Sequence, residues 1–142
     1  DRRYRHRSHL IAVSDLASSE IFYDKVLLSA LGFRKNKFAL NGDPHIQYFN
    51  RHFGYVLRPA RTSSKHDSYS LGLHHFCFRV NSVADVVEVA TQLRAVDIQA
   101  SEAKLFAEYA EDYWATCFSD PDGIRLAVTN YRHERRERHD QW

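Results

Sequence analysis

No uninterrupted apolar run approaches the roughly 18 residues that a membrane-spanning helix needs, which excludes a helical span. Cysteine is scarce. Only Cys77 and Cys117 occur, each inside a strand-like segment, so buried thiols in a reducing, cytoplasmic compartment are expected instead of a disulfide scaffold. Methionine is missing altogether, and the expectation is that residues upstream of Asp1 were removed by processing or cloning. The basic start "DRRYRHR" is followed by no apolar signal core. A charge excess of one sign is missing too: 20 Lys and Arg against 18 Asp and Glu leave a formal net charge of +2, too small to imply a polyanionic partner. Arginine does gather at both ends, yet "YRHERRERHDQW" interleaves Glu134, Glu137 and Asp140 with its arginines. That pattern reads as a solvated helix laced with ion pairs, not as the basic stripe with stacking aromatics that nucleic acid requires.

What is there is ordinary for a globular chain: 142 residues, 44% hydrophobic and 27% charged, enough for one domain or two small halves sharing a core. One pattern is used twice. In the first half "SHLIAV" reads as a strand. "SDL" leads into a helix over "ASSEIFYDKVLLSALGF", in which Phe22, Val26 and Ala30 form an i, i+4 stripe flanked by Leu27 and Leu31, with Gly32 as the C-cap. The strands "FRKNKFAL", "HIQYF" and "GYVLRP" follow, parted by the turns "NGDP" and "NRHFG". In the second half "LHHFCFRV" reads as a strand, and Ser82 and Asp85 form a capping arrangement. Val83, Val86, Val87, Ala90 and Leu93 line one helical face. Strands around "DIQAS", "YWATCFS" and "IRLAVTN" return, the last two joined by the turn "DPDG". The expected organisation is a first βαβββ module over 8–59, a polar linker over 60–72, a second module over 73–131 and an arginine-rich segment over 132–142. Each module carries one sheet with its helix on the outer face.

The repeated module, with "VSDLASSEIFYDKVLLSALGF" in the first half and "HHFCFRV" and "FSDPDGIRLAV" in the second, resembles the vicinal oxygen chelate superfamily of glyoxalases, bleomycin-resistance proteins, fosfomycin-resistance proteins and extradiol dioxygenases. The likeness covers all but the arginine-rich ends. It implies an α+β fold in which the two modules form an open, eight-stranded barrel-like cup with helices outside, and it implies a homodimer. It also implies a divalent metal, zinc, nickel, manganese or iron, held by a histidine or glutamine from the first strand of each module and a glutamate from a module's last strand. Neutral imidazole and carboxylate suit those ions, and open positions admit a substrate with two neighbouring oxygens.

Side chains alternate along a strand, so parity tests these ligands. The family's pattern of a histidine followed by alternating aromatic and small residues matches His75, Phe76, Cys77 and Phe78. His75, Cys77 and Arg79 would then face the cup, and His74, Phe76, Phe78 and Val80 the helix layer. His75 is thus the metal-ligand candidate, and the alternative for it is a strand histidine hydrogen-bonded in a polar pocket. The first-module position falls on Ser8, with His9 one residue out of register unless a bulge brings it round. The glutamate expected after "DPDG" is Ala127, and "GYVLRP" holds no carboxylate. The metal site reads as degenerate, because affinity needs several placed ligands. His45, His52 and His66, in turns and linker, are expected at the surface.

Parity on the other strands assigns Tyr113, Ala115 and Cys117 to one face, and Arg125, Ala127 and Thr129 to one face. With Tyr48, Arg58, His75, Cys77 and Arg79 these make a lining of aromatic walls and cations, suited to a planar or anionic small molecule. Inert thiols are the expectation for both cysteines. Three readings stay open: a glyoxalase-like protein that binds an anionic or aromatic ligand without metal, a metal-dependent lyase or dioxygenase acting on vicinal oxygens, and an interaction module using the arginine-rich ends.

Overall fold

Strand β1 (Arg7–Val13) turns at Ser14-Asp15 into helix α1 (Leu16–Tyr23), where the Asp15 side chain caps the helix by accepting from Ser18 N–H at 3.1 Å. The chain continues as a π-helical segment, Asp24–Ala30, before closing at Gly32. There φ is +71°, and the Gly32 and Phe33 N–H groups donate to the Leu28 and Leu27 carbonyls. The buried residues of this run are Ser19, Tyr23, Val26 and Leu27, which corrects the expected stripe. Phe22 and Ala30 are only half-buried. In a computed structural model the described residues are 7–130; the expected terminal segment over 132–142 lies outside them.

Strands β2 (Arg34–Leu40), β3 (Asp43–Phe49) and β4 (Phe53–Pro59) complete the first sheet in the order β1-β4-β3-β2, with β1 and β4 parallel and the other pairs antiparallel. Asn41 and Gly42, both at positive φ, make the tight hairpin turn between β2 and β3. The register sets Tyr48 opposite Tyr55 and Lys35 opposite Tyr48, on the face that carries α1. On that face Tyr23, Tyr48, Tyr55, Leu57, Val26 and Leu27 are wholly buried, each such side chain contributing about 1.5–3 kcal/mol by removal from water. Lys35 Nζ lies 2.8 Å from Glu20 and 3.1 Å from Asp24, so the edge of the layer is closed by charge. Hydrogen bonds from Lys35 and Lys37 hold the Glu20 carboxyl below its ordinary range.

The first compact unit runs to Ser68 and includes the turn Asp120–Ile124; the second runs from Tyr69 to Ser119 and from Arg125 onward. Within the first, Asp120 is buried and accepts from Tyr23 Oη at 2.8 Å and from the Asp122 and Ile124 N–H groups. Tyr23 and Tyr55 share a hydroxyl hydrogen bond of 2.9 Å. Asp122 accepts from Ser14 N–H at 3.0 Å and from the Ser14 hydroxyl, which ties the "DPDG" turn to the start of α1.

The second unit repeats the plan: β5 (Phe76–Arg79), α2 (Val83–Ala95), β6 (Lys104–Leu105), β7 (Trp114–Ser119) and β8 (Arg125–Thr129), ordered β5-β8-β7-β6 with β5 and β8 parallel. Ser82 caps α2 by accepting from Asp85 N–H. Val86, Val89, Ala90 and Leu93 form its buried stripe, whereas Val87, expected inside, is exposed. The expected strand at "DIQAS" does not form. Ser101 and Thr116 hydroxyls replace the ladder: Thr116 Oγ1 donates to the Ser101 carbonyl at 2.7 Å, and Cys117 N–H donates to Ser101 Oγ at 3.0 Å. Regular pairing resumes only at Lys104–Leu105. The chain therefore adopts the expected α+β class as two βαβββ modules. Among the described residues no helix is long and apolar enough to cross a membrane.

Candidate functional site: a cavity in the second module

Period-two alternation gives the second sheet two unlike faces. Phe78, Thr116, Phe118, Leu126 and Val128 are buried at one parity. The opposite parity presents Cys77, Ala115, Cys117, Arg125 and Ala127 to a cavity of about 540 Å³. The register places Ala127 between Cys77 and Cys117, so a methyl group separates two thiols on the floor. Both thiols are free. Burial pushes the Cys77 thiol up, against a hydrogen bond from Tyr113; burial also raises Cys117, against the pull of Lys104 and Arg125. Neutral thiols are what the cavity floor offers near neutral pH.

The loop between β6 and β7 supplies the walls. Phe106 N–H donates to the Tyr113 carbonyl at 2.7 Å, and Tyr109 N–H donates back to Phe106 at 3.0 Å. This tight loop displays three rings. Phe106 and Tyr109 lie with centroids 5.9 Å apart and 28° between planes, while Tyr109 meets Tyr113 edge-on at 5.3 Å. Burial pushes the Tyr113 hydroxyl up to about 12, and Cys77 and Thr129 are its hydrogen-bonding neighbours.

At the mouth stand His74, His75 and Arg125. The two imidazoles face each other with Nδ1 atoms 2.8 Å apart, one donating and one accepting. His74 meets Tyr69 edge-on at 5.1 Å. Arg125 Nη1 donates to Tyr69 Oη at 3.2 Å, with its guanidinium carbon 5.8 Å from the Tyr69 ring centroid.

Of the residues expected to line a site, the cavity gathers His75, Cys77, Tyr113 and Arg125. The others go elsewhere. Tyr48 is buried toward α1 and donates to Asp24 Oδ1 at 2.8 Å, because its register with Tyr55 turns it to the helix face. Burial and Asp24 together hold that phenol far above its ordinary range. Arg58 donates to Asp43 at 2.6 Å within the first module. Arg79 is exposed at the end of β5, outside the cavity lining. Ser8 shares its face with Gly54, and β1 pairs with β4 without a bulge. His9 therefore keeps the opposite face, edge-on to Phe53. His74 does not face the helix layer: β5 begins only at Phe76, so strand alternation does not govern it. His45, expected at the surface, is buried in β3. It stacks on Phe38, and its Nδ1 donates to the Asp43 carbonyl at 2.9 Å. Phe106, Tyr109, Tyr69 and His74 were missed, although the spacing of rings in "FAEYAEDY" was a readable signal for two of them.

Comparison with known proteins agrees with this architecture. The profile of the Glyoxalase/Bleomycin resistance protein/Dioxygenase superfamily matches residues 6–128, and the chain belongs to that family. No protein of curated function matches it. Among solved structures it is similar to a glyoxylase/bleomycin resistance protein/dioxygenase domain from Frankia sp. EAN1pec, with TM-score 0.70 and 21% identity over 90% of this chain and 96% of that one. A lactoylglutathione lyase from Agrobacterium tumefaciens gives TM-score 0.64 and 20% identity over 91% and 95%. The fosfomycin resistance protein FosX from Listeria monocytogenes gives 0.63 and 13% over 92% and 94%. At these identities the likeness speaks for the fold.

The family resemblance implies a metal ligand at His75 and a glutamate from a module's last strand. Ala127 occupies the glutamate position, and His75 turns its Nδ1 to His74. Among the described residues no three His, Cys, Asp or Glu side chains gather as a metal-binding group.

Proposed function

We propose that the protein is a metal-independent, glyoxalase-like binding protein whose second-module cavity takes a small organic anion with an aromatic or planar body. One observation carries the reading: among the described residues the lining includes an arginine and the rings of Phe106, Tyr109 and Tyr113 but no aspartate or glutamate. A carboxylate or phosphate entering that space meets a guanidinium with no competing acidic side chain among the described lining residues, and a flat body meets ring faces. The volume, about 540 Å³, is that of an ordinary small-molecule site. Two free thiols suit a reducing cytoplasm, and a homodimer is part of the same proposal.

The test is calorimetric titration of chelator-treated protein with a panel of aromatic carboxylates, before and after adding nickel, zinc, manganese or ferrous iron, in wild type and His75→Ala. Binding that is already present without metal is the expected result. Binding that appears only with metal and vanishes in His75→Ala would instead favour a metal-dependent lyase or dioxygenase acting on vicinal oxygens.

A further inference from the structure

Arg125 is exposed, yet its guanidinium is held by a neighbour. Its guanidinium donates to Tyr69 Oη at 3.2 Å and rests near that ring, while Tyr69 itself stands 80% exposed at the mouth and edge-on to His74. The arginine that a guest anion needs is therefore already engaged by a neutral phenol. A phenol hydroxyl is a weaker partner for a guanidinium than a carboxylate, which offers two oxygens to the fork and a full charge. The floor is two protonated thiols around the Ala127 methyl, and the walls are Phe106, Tyr109 and the ring of Tyr113.

We infer that Tyr69 and Arg125 form an exchange latch that selects planar aromatic carboxylates: the guest carboxylate displaces the Tyr69 hydroxyl from the Arg125 fork while its ring enters the aromatic walls. This rests on the cavity reading above and deepens it by naming the ligand class and the residues that set it. Tyr69 is a positioning residue. It holds the guanidinium over the mouth before the guest arrives, and its hydroxyl competes with the guest for the same donors.

The probe pair is 2-naphthoate and 2-naphthamide, nearly equal in shape and differing in charge, followed by calorimetry or by naphthalene fluorescence. Both Arg125 and Tyr69 are exposed, so Arg125→Gln and Tyr69→Phe leave the core untouched. Wild type is expected to bind the naphthoate at least about tenfold more tightly than the amide, the size of a charge-assisted hydrogen bond. Arg125→Gln abolishes that preference, so that both compounds bind alike. Tyr69→Phe strengthens the naphthoate by about two- to fivefold, the worth of one competing neutral hydrogen bond, and leaves the amide unchanged. Naphthoate binding that ignores Arg125→Gln, or that weakens in Tyr69→Phe, overturns the latch while the cavity reading stands. Failure of every variant to bind either compound overturns both.

Discussion

The two modules follow one order of elements and spend their polar groups differently. In the first, long strands of seven residues carry charges that meet one another: Lys35 with Glu20 and Asp24, Arg58 with Asp43, Tyr48 with Asp24, and Tyr23 with Asp120. In the second, strands of four, two, six and five residues leave an open face where Arg125 and two imidazoles stand over neutral thiols. A satisfied polar group stabilises a layer and has little left to offer a guest, whereas one held at a cavity mouth by a weak partner is available for exchange. The difference teaches that duplication of a fold does not duplicate its site.

The largest effects should test whether both modules rest on equally tight cores. Leu57 in β4 and Leu93 in α2 are both fully buried, and replacing either by alanine should lower the unfolding free energy by about 2–5 kcal/mol in urea titrations. A cost for Leu93→Ala well below that range would mean that the cavity-bearing module is the looser of the two.

Smaller and more local is the network around Asp120. Tyr23→Phe removes the donor to the Asp120 carboxylate and the partner of Tyr55, and should cost about 1–3 kcal/mol. Burial raises the Asp120 carboxyl above its ordinary value in spite of its three donors. Its contribution to stability is therefore greatest below the ordinary carboxyl range and is lost as pH rises through the raised value. Melting curves of wild type and Asp120→Asn between about pH 4 and 7 should show the wild type losing ground to the variant as pH rises. The opposite slope would mean that the donors outweigh burial.

The smallest effect concerns the thiols of the second module. Because burial raises both, their alkylation by iodoacetamide should have a pH midpoint above the roughly 8.5 of an ordinary thiol, with exposed Cys117 reacting before half-buried Cys77. A midpoint below that value would point to a reactive thiolate and would break the contrast between a neutral floor and a charged mouth.

Local pattern alone carried much of this. Turn chemistry at Asn41-Gly42, the Ser82 cap, the glycine closing the first helix and the alternation along β7 and β8 depend on near neighbours, and they identified the module plan and the shared face of Tyr113, Cys117, Arg125 and Ala127. The tertiary structure decided the rest. Which face of the first sheet receives Tyr48 follows from its pairing with Tyr55 and Lys35. His45 is buried because β3 starts two residues earlier, at Asp43, and His74 joins the cavity because β5 starts late. The rings of Phe106 and Tyr109 reach the cavity through a loop whose path is set by its own backbone bonds, and Tyr69 reaches Arg125 across 56 residues of chain. Register, strand ends and loop paths are settled by partners distant in sequence, and periodicity within a segment holds no information about them.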